Sequence, residues 1–179
     1  MTGLIGYNFG SKERRQNVML NSSYQKANNK ATYAGGENSF SDFYTSNLSY
    51  SYALVPQSMT LATSLNYYTS KMTGVATDYW GPTIIVTKGL FEKTLRTSIS
   101  SSLNKSRTNY LPSSSILNNR LSLNYTPKGS PDKKDGKGRH TLSLGINVLH
   151  RFKGPATPDG RPVNHFTEFT SNFSWGYDF

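Results

Sequence analysis

Cysteine is absent from these 179 residues, so the chain has neither a disulfide framework nor a thiolate metal site. Histidine is nearly absent: His140, His150 and His165 are too few and too scattered to hold zinc. No run of eighteen apolar residues occurs, which excludes a spanning helix. The start, "MTGLIGYNFGSKERR", lacks the basic, apolar and small-residue zones of a secretory signal. Charged residues make up only 17% of the chain, too sparse for most disordered proteins, and hydrophobic residues only 35%, too few for an ordinary globular core. Helical periodicity is missing as well.

Alternation is what remains. Ser, Thr, Asn and Gly are abundant, and 12 Tyr, 9 Phe and 2 Trp argue further against disorder. Period-two patterning recurs from end to end, as expected for strands with one buried face. The runs are "GLIGYNF" with Ile5, Tyr7 and Phe9; "QNVMLNSSYQ" with Val18, Leu20, Ser22 and Tyr24; and "FYTSNLSYSYAL" with Tyr44, Leu48, Tyr50, Tyr52 and Leu54. "MTLATSLNYYTS" follows with Met59, Leu61, Leu65 and Tyr67, then "DYWGPTIIVTKGLF", less decisive because Ile84 and Ile85 are adjacent. "TLRTSISSSLNKS", "ILNNRLSLNYTP" and "HTLSLGINVLHRF" carry Leu95, Ile99, Leu103; Leu117, Leu121, Leu123, Tyr125; and Leu142, Leu144, Ile146, Val148. The last run, "FTSNFSWGYDF", sets Phe169, Phe173, Trp175, Tyr177 and Phe179 on one parity.

Between the runs, apart from the Lys-rich "KGSPDKKDGKGR", every second connector is expected to be tight and its neighbours longer, the rhythm of a meander whose two ends face different compartments. Short turns on one side and longer loops on the other, with strands of about ten residues, are the pattern of outer-membrane barrels. The predicted fold is all-β, an antiparallel up-and-down transmembrane β-barrel over a single domain, 1–179.

The final strand, with Phe173, Trp175, Tyr177 and terminal Phe179, resembles the C-terminal signal of bacterial outer-membrane β-barrel proteins. The stretch "YWGPTIIVTKGLFEKTLRTSISSSLN" looks like large barrels of the Bacteroidota. The resemblance implies a bacterial outer-membrane location and recognition of the last strand by the barrel-assembly machinery. It also implies contact with outer-membrane lipid and closure of the last strand against the first. About nine strands would place Met1 outside the cell when single-chain barrels have even counts, which suggests the C-terminal piece of a larger barrel with other segments or subunits. Alternatively, "GLIGYNF" is an irregular segment that leaves eight strands.

Charges inside the strands are few. Arg96, Arg120 and Glu168 fall on the polar parity, where a lumen would solvate or pair them. Lys88, Lys105 and His150 fall on the apolar parity near strand ends, within reach of water by snorkelling. Ser46, Thr63, Ser101 and Ser171 also interrupt that parity, which leaves open that some strands meet protein in place of lipid.

A net charge of +10 invites a nucleic-acid reading. Its bases gather in "SKERR" and "KGSPDKKDGKGRH", which are connectors, so no nucleic-acid partner is expected; periplasmic proteins or anionic headgroups suit them better. Asp132, Asp135 and Gly136 make a poor calcium loop, opposed by three lysines and lacking the bidentate Glu. "GLIGYNFG" lacks the Lys and helix of a phosphate loop. For hydrolysis only His150 or His165, with Asp159, could serve, and neither catalysis nor a cofactor is expected. The reading is therefore a pore, a transport or export channel, or an anchor of a surface assembly. A soluble basic β-sheet module for polyanions or glycans and an outer-membrane hydrolase are the alternatives.

Overall fold

The computed structural model describes residues 1–29, 39–127, 139–152 and 165–178. They form one antiparallel sheet whose spatial order is the chain order: β1 (Thr2–Gly10), β2 (Arg14–Asn29), β3 (Ser39–Leu54), β4 (Met59–Met72), β5 (Val75–Leu90), β6 (Leu95–Thr108), β7 (Leu111–Tyr125), β8 (Arg139–Phe152) and β9 (Phe166–Asp178). This is the up-and-down meander expected from the alternation. Among the described residues the sheet stays open, with β1 and β9 at its two edges.

"GLIGYNF" is a regular strand. Thr2 to Gly10 pair with Ser23 to Arg15, and the Met1 ammonium donates to the Tyr24 carbonyl at 2.8 Å. The eight-strand alternative is thereby overturned: alternating Ile5, Tyr7 and Phe9 have the same pairing incentive as the other runs.

The expected alternation of tight and longer connectors is also corrected. Only Thr73 and Gly74 separate β4 from β5, and only Asn109 and Tyr110 separate β6 from β7, at the end where the longer loops were expected. Lys71, Met72, Val75 and Ala76, read from sequence as connector, continue the ladder. So do Arg107, Thr108, Leu111 and Pro112, with a register shift after Ser106 that fits the proline into the edge of the pairing. Unpaired backbone groups are costly, so pairing runs past the apolar stretch until a turn residue stops it. Gly74, at φ 80, and Asn109 and Tyr110, at φ 49 and 65, supply the left-handed conformations of such turns. The sequence segments "KGSPDKKDGKGR" (with Asp132, Asp135 and Gly136) and "PATPDGRP" (with Asp159) lie outside the described residues.

Most unusual is the core. No apolar side chain among the described residues is buried. A sheet of nine strands with no interior of its own must find its apolar environment elsewhere.

Candidate functional site

Residues directly opposite in an antiparallel pair project to the same face, so the register decides which side chains share a surface. One row runs Tyr52, Leu61, Val86, Ile99, Leu121, Ile146 across β3 to β8. A second runs Ile5, Leu20, Leu48, Leu65, Pro82 across β1 to β5. Leu123, Leu144 and Phe173 lie together, as do Tyr125, Leu142 and Trp175. All the apolar runs thus converge on one face. The adjacent Ile84 and Ile85 divide: Ile84 opposes Thr63 on the apolar face, and Ile85 opposes Ala62 on the other.

Charge bounds this apolar face. At one end Lys26, Asp42 and Lys71 lie in a row, with Asp78 opposite Arg107 nearby. At the other, Arg14 opposes Leu54, and Lys88 opposes Met59. Asp78 and Lys88 are separated by about ten residues, or roughly 33 Å of strand. At a tilt of roughly 40° this becomes about 25 Å along a membrane normal, the height of the apolar band of outer-membrane barrels. Aromatics sit near both borders. Tyr44 packs on Tyr67 with ring centroids 6.0 Å apart, and Lys105 lies 5.1 Å from the Trp80 ring centre. At the opposite border Trp175 stacks on His140 at 5.8 Å, and its indole N–H donates to His140 Nδ1 at 3.3 Å. Amphipathic rings favour such interfaces.

The opposite face is polar. Asn17 donates to Asn8 at 2.7 Å, Asn47 to Asn66 at 2.5 Å, and Ser143 to Asn124 at 2.7 Å. Cavities of about 250, 340 and 430 Å³ open mainly among its residues. Gly81, Gly89 and Gly145 also belong to it, each with a neighbour pressed close to where a Cβ would stand. The cavities and the crowding at these three glycines lie on this face, while Gly6 and Gly176, also on it, are uncrowded.

Arg96, between Gly89 and Asn124, and Arg120, between Ser100 and Asn147, lie on the polar face with Glu168, which opposes Leu149. Phe173, Trp175 and Tyr177 lie together on the apolar face of β9, while Phe179 is outside the described residues. Among the described residues the histidines join no group of three His, Asp or Glu side chains, and Asp159 lies outside them. His150 stands on the apolar face, its ring centroid 4.6 Å from Phe152 and its Nδ1 2.7 Å from the Thr167 hydroxyl. His165 is exposed just before β9. Among the described residues no group of His, Asp and Glu could hold a metal ion.

One feature of the polar face escaped the reading of the sequence. Asn21, Asn47, Asn66, Gly81 and Asn104 make a single row across β2 to β6, in a register that holds on either side of Gly81 and Pro82. The signal was a recurring dipeptide. Leu20-Asn21, Asn47-Leu48, Leu65-Asn66 and Leu103-Asn104 reverse order with strand direction, as one antiparallel row requires.

No protein-family model matches the chain, and no curated protein matches it. Two solved structures do. One is OmpT, an in-vitro folded outer membrane protein of Vibrio cholerae, in its trimer form: TM-score 0.55, 7% identity, 98% of this chain and 56% of that one. The other is a further structure of OmpT from the same organism: TM-score 0.53, 8% identity, 98% of this chain and 54% of that one.

The fold is that of an outer-membrane β-barrel. At such identity the likeness concerns the fold alone, and the chain spans little more than half the length of these neighbours. Both are outer-membrane proteins, in accord with the location expected from the final strand.

Proposed function

We propose that the chain is a wall segment of a bacterial outer-membrane barrel, its apolar face against lipid and its polar face lining a water-filled passage for transport or export. The observation that carries this reading is the sheet without a core. Its apolar residues share one face, yet Ile99 is 56% and Phe173 70% exposed. An apolar face that extends across nine strands, interrupted at Ser46, Thr63, Ser101 and Ser171, still exceeds what a soluble monomer leaves to water. That weighs against a soluble basic module. A hydrolase would need its base on the wet side, whereas His150 shares the apolar face with Phe152.

Arg96, Arg120 and Glu168 are then lumen-facing charges. Phe173, Trp175 and Tyr177 of β9, with the terminal Phe179 of the sequence, carry the signal that assembly machinery reads, and the edges at β1 and β9 accept further barrel strands. The likeness to Bacteroidota barrels rests on the stretch from Tyr79 to Asn104.

The test is extraction followed by heat-modifiability. The protein is expected to require detergent, to give a β-rich circular dichroism spectrum, and to conduct in planar bilayers once its closing strands are present. A protein that is fully soluble and folded without detergent would overturn the reading.

A further inference from the structure

We propose that the polar face carries, across β2 to β6, a binding subsite for a neutral oligosaccharide. This rests on the reading of that face as wet and deepens it by naming the solute class. The cavity of about 250 Å³ is lined by Asn21, Asn47, Asn66 and Asn104 with Tyr68 and Tyr79. Three amides on adjacent strands about 4.8 Å apart, and a fourth two strands further on at Asn104, present donors and acceptors in one row. Sugar hydroxyls, each a donor and an acceptor, match such a row.

The tyrosines stand one row further along the same face. Tyr68 opposes Tyr79, with ring centroids 5.8 Å apart and planes tilted by 47°. An aromatic face is negative and receives the apolar C–H face of a pyranose, while the phenol hydroxyls supply further hydrogen bonds. Gly81 stands between Asn66 and Asn104 in the row and puts no side chain over it.

Charge sets the class. No Lys, Arg, Asp or Glu lines this cavity, whereas Lys93 and Arg96 line the 430 Å³ cavity towards the other end of the face. Arg120 and Glu168 lie on β7 and β9. An ionic solute held at the asparagines would lose water without gaining a counter-charge. A ladder of amides can also serve the sheet itself, and Asn47 donating to Asn66 does so. Sheet stapling, however, asks nothing of the amides of Asn21 and Asn104, which make no side-chain hydrogen bond among the described residues, nor of the two rings.

The experiment is calorimetric titration of the folded full chain with maltohexaose, in a detergent that carries no sugar headgroup. Binding is expected, weakened at least tenfold by Tyr68→Leu and by the pair Asn47→Leu with Asn66→Leu, and changed less than twofold by Arg120→Ala. Circular dichroism checks each variant's fold, and Tyr79→Ala, at an exposed ring, replaces any that misfolds. Oligogalacturonate, the acidic counterpart, should bind at least tenfold more weakly. No binding of maltohexaose, binding indifferent to the variants, or equal binding of oligogalacturonate would each overturn the subsite. Detergent dependence is read in the same preparation: a soluble protein that binds maltohexaose retains the subsite and loses the membrane wall. A detergent-dependent one that fails to bind does the reverse.

Discussion

Thr83 and Ile84 are consecutive in β5, yet they face different surroundings. Thr83 lines a cavity among Asn17, Asn47, Ser49 and Ser64, while Ile84 is half exposed on the apolar side. Some of the glycines follow the same contrast. On the polar face a Cβ at Gly81 would overlap the Leu103 carbonyl oxygen, and one at Gly145 would overlap the Asn172 amide. On the apolar face a Cβ at Gly3 would meet nothing within 4 Å. Crowding on the polar face is thus local to positions such as Gly81 and Gly145, since Gly176 on the same face would meet nothing within 4 Å, while the apolar side chains stand open. In a soluble protein the reverse holds, because there the apolar side is the packed one.

Reversing one residue on each face would test that contrast most severely. Ile84→Arg should cost about 2–4 kcal/mol of membrane stability, as charge does near a bilayer midplane. Thr83→Arg, one residue away but beside a cavity, should cost under about 1 kcal/mol. Urea titration in lipid vesicles measures both, and equal costs would erase the distinction between the faces. Crowding comes next. Gly81→Val should lose about 1–3 kcal/mol through forced displacement of β6, whereas Gly3→Ala should be neutral within the error of the same titration. The smallest effect concerns the turns, which belong to neither face. Tyr110 holds a left-handed φ of 65, and Tyr110→Gly should stabilise the protein by about 0.5–1 kcal/mol, seen as a higher urea midpoint.

The division into faces was legible in the sequence because parity survives pairing. Once Leu61, Val86, Ile99 and Leu121 are each in phase within their own strands, the antiparallel register carries the phase from strand to strand. Where two apolar residues adjoin, as at Ile84 and Ile85, phase is lost and only the partner strand restores it. Strand ends were misread for a related reason. Beyond the apolar band polar and apolar residues no longer keep to separate parities, as at Lys71, Met72, Val75 and Ala76, so alternation falls silent while the ladder continues. The asparagine row was invisible until register joined it, since each asparagine taken alone is an ordinary polar residue beside a leucine. Arg96, Arg120 and Glu168 could be assigned a face from sequence, but not their neighbours, because those come from other strands.

The open edges carry a consequence of direction. In a meander of nine strands the first and last run the same way, so β1 and β9 point towards the same end of the sheet. Joined directly, or to the opposite edges of an identical sheet standing upright in the same membrane, they would meet as parallel neighbours. An all-antiparallel closure therefore requires an odd number of intervening strands, so the arithmetic of the finished ring is even.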